Sequence, residues 1–443
     1  MNTDKKQSET TASYLCPSVP HLWLIFSSLF LAPAIANAAI PTTAPAVVDA
    51  TSLTGKVLCG YQGWFNTPTD GADRGWVHWG RGAMKPGYAT VDLWPDTSEL
   101  TAAEKFQTGF KLADGSHAVV FSSYNHDTVE RHFKWMRDYG IDGVFLQRFA
   151  TGLGNPVVMN HYDGVARNVF DGARKYGRTF AIMYDLSGMH DEQLGRVIDD
   201  WKHLIDVLHI PQDPRYLHDD HRPVVALWGI GFSDGRDPLL SGGAMRLIRF
   251  LKGDPAYGNS CVVLGLPSGW RTLDRDAVHD ARLTEIIQAA DVVCPWTVGR
   301  YTTPEQAGKF ATNNWVPDLA WCAAHGKTYM PVVFPGFSWH NLKKGKAPTG
   351  QIPRLGGRFL WSQYVAARDA GATVVYQAMF DEVDEGTAIF KCTNDVPVPD
   401  GENQFLTFDG LPSDFYLRLV GEGSKLIRRE ISPAGERLIT PGR

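Results

Sequence analysis

Eight short apolar runs recur along the chain, and helical patterns separate them. The runs are VLCGYQGW (57–64), IDGVFLQRF (141–149), RTFAIMYDL (178–186), RPVVALWGI (222–230), CVVLGL (261–266), DVVCPW (291–296), KTYMPVVF (327–334) and TVVYQAMF (373–380). They lack clean apolar–polar alternation, which is the mark of strands covered on both faces. Between them, DTVERHFKWMRDYG (127–140) places Val129, Phe133, Met136 and Tyr139 on one helical face. Asp127 is its expected N-cap and Gly140 its stop. Helical patterns follow at 161–177, 191–208 and 358–371, and 413–429 reads as a closing helix.

Eight strand–helix alternations predict one (β/α)8 barrel, an α/β TIM barrel spanning 53–430 with a long first βα loop. No GxGxxG or P-loop opens a helix, which speaks against a doubly wound sheet. AVVFSS (118–123) is read as an insertion within that long loop, not as a ninth barrel strand.

Ahead of the barrel, Lys5 and Lys6, the apolar LWLIFSSLFLAPAIA and the small-x-small Ala36-Asn37-Ala38 form a signal-peptide pattern over 1–38. A linker at 39–52 follows, and 431–443 is a tail. The mature chain is therefore expected to be secreted or periplasmic, with no later span. Beyond Cys16 in the leader there are Cys59, Cys261, Cys294, Cys322 and Cys392. Their wide spacing names no framework, and one or two disulfides are compatible with export. A net charge of −5 without a basic block gives no reason to expect nucleic acid.

In such a barrel the chemistry lies at the C-terminal strand ends. Those ends offer Tyr61, Gln62 and Trp64; Gln147 and Arg148; Tyr184 and Asp185; Trp228; Trp296; Phe337, Trp339 and His340; and Gln377. With 14 Trp in the chain, aromatic faces for pyranose rings and polar groups for hydroxyls fit a carbohydrate cleft. His78 is a further candidate hydroxyl binder.

The last run ends in MFDEVDEGT, with Asp381, Glu382, Asp384 and Glu385 inside five positions. Glu382 and Glu385 are three apart, so one turn brings both to one side. A carboxylate pair is what cleavage of a glycosidic bond needs, and crowding raises at least one pKa. The same cluster could be a solvated turn or hold calcium. There is no His-Glu-x-x-His spacing for zinc and no Gly-x-Ser-x-Gly elbow, and no cofactor is expected.

EVDEGT (382–387) resembles the Glu-Trp-His-Glu-Gly-Thr motif of glycoside hydrolase family 99, the endo-α-mannosidase and endo-α-mannanase family. GYQGWFNTP (60–68), FSSYNHDTVERHFKWMRDYGIDGVFLQ (121–147) and YMPVVFPGFSWHN (329–341) are similar to other segments of that family, in the same order. The likeness covers roughly 57–430 and extends to the wider 71/99-like group, some members of which are labelled xylosidase or arabinosidase. It implies metal-independent, retaining cleavage of α-linked glycans. Glu382 would act as base on the sugar's 2-hydroxyl and Glu385 as acid/base at the leaving oxygen, with Gly386 and Thr387 shaping the turn. Val383 and Asp384 replace the motif's Trp and His, which bears on mannose specificity and leaves direct attack by Glu382 open. A non-catalytic sugar-binding barrel and a metal-assisted barrel enzyme are the alternatives.

Overall fold

A computed structural model describes residues 47–399 and 401–433. The leader falls outside these residues, as does most of the tail. Eight parallel strands form the barrel: β1 (Lys56–Tyr61), β2 (Gly143–Phe149), β3 (Thr179–Asp185), β4 (Arg222–Trp228), β5 (Cys261–Leu266), β6 (Val292–Pro295), β7 in two pieces (Thr328–Tyr329 and Val332–Val333), and β8 (Val374–Gln377). The pairing runs from β1 through β2, β3, β4, β5 and β6, and β8 pairs back onto β1.

Closure depends on β7. Its first piece pairs with β6 and its second with β8. Pro331 interrupts the strand because it has no N–H to give the ladder. The ring still holds, since Met330 N–H donates to Val293 O (2.9 Å) and Pro331 O accepts from Tyr376 N–H (3.0 Å).

The helices are α1 (His126–Tyr139), α2 (Pro156–Tyr176), α3 (Gly195–Asp206), α4 (Gly243–Gly253), α5 (Ala281–Ala289), α6 (Pro304–Ala324, widened to a π turn over Ala311–Trp315), α7 (Arg358–Ala370) and α8 (Phe415–Ile427). Asn125, not Asp127, caps α1: its side chain accepts from Thr128 N–H, and Asp127 lies in the first turn. Gly140 ends the helix at φ 75°. Val129, Phe133 and Met136 are buried as the period requires, while Tyr139 is half-buried. α2 starts earlier than its periodic stretch because Asn155 caps it and Pro156 takes the first helical position. Asp191–Leu194 is a separate 3-10 turn ahead of α3.

The long loop between β1 and α1 carries its own antiparallel hairpin, Phe106–Lys111 with His117–Val120. The run at 118–123 is therefore part of the insertion. Among the described residues, no helix is long and apolar enough to cross a membrane.

Candidate active site

The four acids after β8 are not a solvated turn. Asp381, Glu382 and Asp384 are buried and Glu385 is half-buried. Asp381 ties two strand ends together. Its carboxylate accepts Gln62 N–H at 2.8 Å and Gly63 N–H at 2.9 Å, fixing the GYQGW turn after β1 against the end of β8. Burial pushes its pKa up to about 7 despite those two donors.

Glu382 receives Gln62 Nε2 at 2.5 Å on one oxygen and Thr387 Oγ1 on the other. Burial, then the neighbouring charges of Glu385 and Asp384, raise it well above the usual range. Glu385 accepts no side-chain hydrogen bond from the described residues. Burial and then Asp384 push it up to about 7, against the opposing charge of Lys343. Lys343 lies 4.2 Å over the Trp339 ring, which edges onto Phe337.

Three contacts set the turn that carries these acids. Gly386 has φ +63°, and a Cβ there would stand 2.9 Å from Ser338 N, so a side chain is excluded on both counts. Arg354, buried beneath, donates to Gly386 O (2.8 Å) and Ala388 O (2.7 Å). From the long first loop, Asp92 N–H donates to Val383 O (3.0 Å). The Asp92 carboxylate in turn accepts Ser338 Oγ (2.5 Å), His340 N–H (2.7 Å) and Asn341 N–H (2.8 Å). One residue of the insertion thus clamps the loops after β7 and β8. Val383, where the family motif has Trp, is fully buried in that clamp.

The opposite wall is aromatic. Trp64 stacks between His78 (centroids 3.6 Å, planes 4° apart) and Phe149 (4.9 Å). His78 Nδ1 meets Asp384 Oδ2 at 3.0 Å. Trp228 and Trp296 meet edge to face at 5.5 Å, and Arg236 lies 5.2 Å over Trp228. Gly265 makes room for that indole: a Cβ there would be 2.2 Å from Trp228 Cδ1. Asp185 accepts Ser187 N–H at 2.7 Å, and its charge is felt at Glu385. Burial raises its own pKa. Several buried polar atoms here have no protein partner: Gln62 Oε1, Asp384 Oδ1, Trp64 Nε1 and Trp228 Nε1.

Gln62 thus bonds Glu382, Trp64 reaches the acids through His78 and Asp384, Asp185 and the Lys343 over Trp339 act on Glu385, and Trp228 and Trp296 pair beside Tyr376. Six other candidates lie elsewhere. Tyr61 faces α1, its hydroxyl 2.8 Å from His132 Nδ1. Arg148 points into the helix layer, pairing with Asp200 (2.5 Å) and Asp163 (3.2 Å), and Tyr184 donates to the same Asp200 at 2.8 Å. Gln377 accepts Tyr364 Oη from α7 at 2.9 Å. The reason is common to all four: alternate strand residues point into the barrel and into the helices, and these fall on the outer parity. Gln147 has the inner parity but sits a layer down, donating to Tyr376 Oη at 3.1 Å. His340 braces its own loop through Nδ1 to Ala347 O (2.7 Å). Asp92, Lys343 and Arg354 escaped the sequence reading because no motif or strand end singled them out; Phe149, the last residue of β2, was at a strand end and was passed over for Gln147 and Arg148.

Among the described residues, no three His, Cys, Asp or Glu side chains are grouped as a metal ion would require. All five described cysteines are free and buried, so the disulfides compatible with export do not form among them.

No family model and no curated protein matches the sequence. Solved structures do match in fold. A GH99 endo-alpha-mannosidase from Bacteroides thetaiotaomicron, in complex with bis-tris-propane, is 16% identical with a TM-score of 0.60, over 86% of this chain and 99% of that one. Another structure of the GH99 endo-alpha-mannosidase from that organism is 15% identical with a TM-score of 0.57, over 85% and 99% of the two chains. The (β/α)8 architecture inferred from the eight apolar runs is therefore one this chain shares, over nearly their full length, with GH99 endo-alpha-mannosidase structures.

Proposed function

We propose that this chain is an exported glycoside hydrolase that cleaves α-linked glycosidic bonds with retention, using Glu382 and Glu385. The observation that carries the reading is the unequal setting of two crowded, desolvated glutamates at the end of β8. Both pKa values are raised, so the pair holds a proton near neutral pH. Gln62 and Thr387 supply donors to both Glu382 oxygens, which suits that residue to carry the negative charge. Glu385 has no such donor, and burial pushes it up to about 7, which suits a general acid at the leaving oxygen. Glu382 then acts at the sugar, on its 2-hydroxyl or directly. The aromatic side chains of Trp228, Trp296 and Trp339 suit pyranose faces. The two matching structures are of endo-alpha-mannosidases, which agrees with this class of reaction.

The test is sugar release by the purified chain from α-mannans, xylans, arabinans and α-glucans, with Glu382→Gln and Glu385→Gln alongside and EDTA in parallel. Cleavage of one polymer, lost in both variants and indifferent to EDTA, is the expected outcome. Variants that cleave as well as the parent would overturn the assignment. Binding without any turnover in the parent would favour the sugar-binding alternative.

A further inference from the structure

His78 arrives at the site from the long first loop, far in sequence from the acids. Its backbone holds φ +60°, a conformation uncommon outside glycine and often retained at functional positions. Its ring lies flat on Trp64, and its Nδ1 is 3.0 Å from Asp384, whose side chain is 2% exposed. The His78 side chain itself is 34% exposed, and no described residue bonds its Nε2. In the neutral ring a carboxylate on Nδ1 takes the proton there, which leaves a lone pair on Nε2. Two buried acceptors of the acid cluster, Asp384 Oδ1 beside His78 and Gln62 Oε1 beside Glu382, have no protein donor. This corner of the cleft is therefore short of donors.

We propose that His78 contacts substrate, its Nε2 accepting a hydroxyl of the bound sugar, and that Asp384 is the positioning residue that sets its tautomer. The pair selects glycans with a free hydroxyl at that place. It also gives a role to Asp384, where the family motif carries His: an imidazole returns to the acid cluster from another part of the chain. The inference rests on the carbohydrate reading of the cleft and does not depend on turnover.

The experiment is nitrogen NMR of the histidine rings in the full chain, with and without the methyl α-glycosides of mannose, glucose, xylose and arabinose. Binding and turnover are measured in parallel. One of these sugars should shift the His78 Nε2 signal. His78→Ala and Asp384→Asn should each weaken that sugar about tenfold or more in a chain that stays folded. Asp384→Asn should also move the proton off Nδ1, which a merely structural role would not do. His78→Gln, which restores an acceptor, should recover part of the loss and covers the case in which the alanine variant does not fold. If no sugar moves the His78 signals, or a sugar binds with them unmoved, the inference fails. Cleavage lost in Glu382→Gln with His78 silent sinks this inference alone. A His78 response with no cleavage of any polymer sinks the hydrolase reading alone.

Discussion

Glu385 shows how burial becomes a measurable dependence on pH. A free glutamate titrates near 4.5, and in the folded chain this one is pushed up to about 7. The fold thus binds its proton more tightly than the unfolded chain does. That contribution to stability is present below pH 4.5 and is lost as pH rises through about 7. Glu385→Gln cannot ionise, so it should melt a few degrees above the parent at pH 8, by about 2 kcal/mol, and close to it at pH 4. Calorimetry at the two pH values checks this. If Glu385 is the general acid, kcat/KM of the parent falls on the alkaline side of about 7, which a pH–rate profile reads directly. The other residue-level device is Gly386. Gly386→Ala must adopt φ +63° with its Cβ against Ser338, and should cost about 2 kcal/mol along with most of the turnover.

Between elements, the long first loop is what turns a barrel mouth into a site. Asp92 takes three donors from the loop after β7 and gives its N–H to Val383. Asp92→Ala leaves those donors unpaired in a buried place, so a loss of about 3 kcal/mol is expected together with lower kcat. Arg148 makes the contrasting case. Arg148→Ala strands Asp200 and Asp163 between β2, α2 and α3, and should cost about 3–5 kcal/mol. It should leave KM for any cleaved glycan close to that of the parent, since its side chain faces the helices. Denaturant melts and Michaelis kinetics on both variants separate the two roles. The eighth strand and its acids were legible from the apolar run and the EVDEGT motif. Asp92 was not, because a clamp between a loop at 92 and one at 338–341 leaves no local pattern.

For the molecule as a whole, the five described cysteines are buried thiols, four in the barrel strands and helices and Cys392 in the segment after β8, and burial pushes each pKa up, to about 12 for Cys261 and Cys322. They should be silent to a thiol reagent in the native chain and react together on unfolding, and a reductant should leave the melting temperature unchanged. The sequence by itself determined that eight doubly covered strands alternate with helices, because continuous apolar runs and helical periods are local signals. It also determined that four acids follow the eighth strand. Which strand-end residues face the cleft was decided only by the tertiary structure. A strand apolar on both faces carries no sign of its parity, so Gln147 and Arg148 look alike until one is seen under Tyr376 and the other among the helices. The joining of His78 to Asp384, and of Gln62 to Glu382, likewise had to await the closing of the barrel and the packing of its first loop.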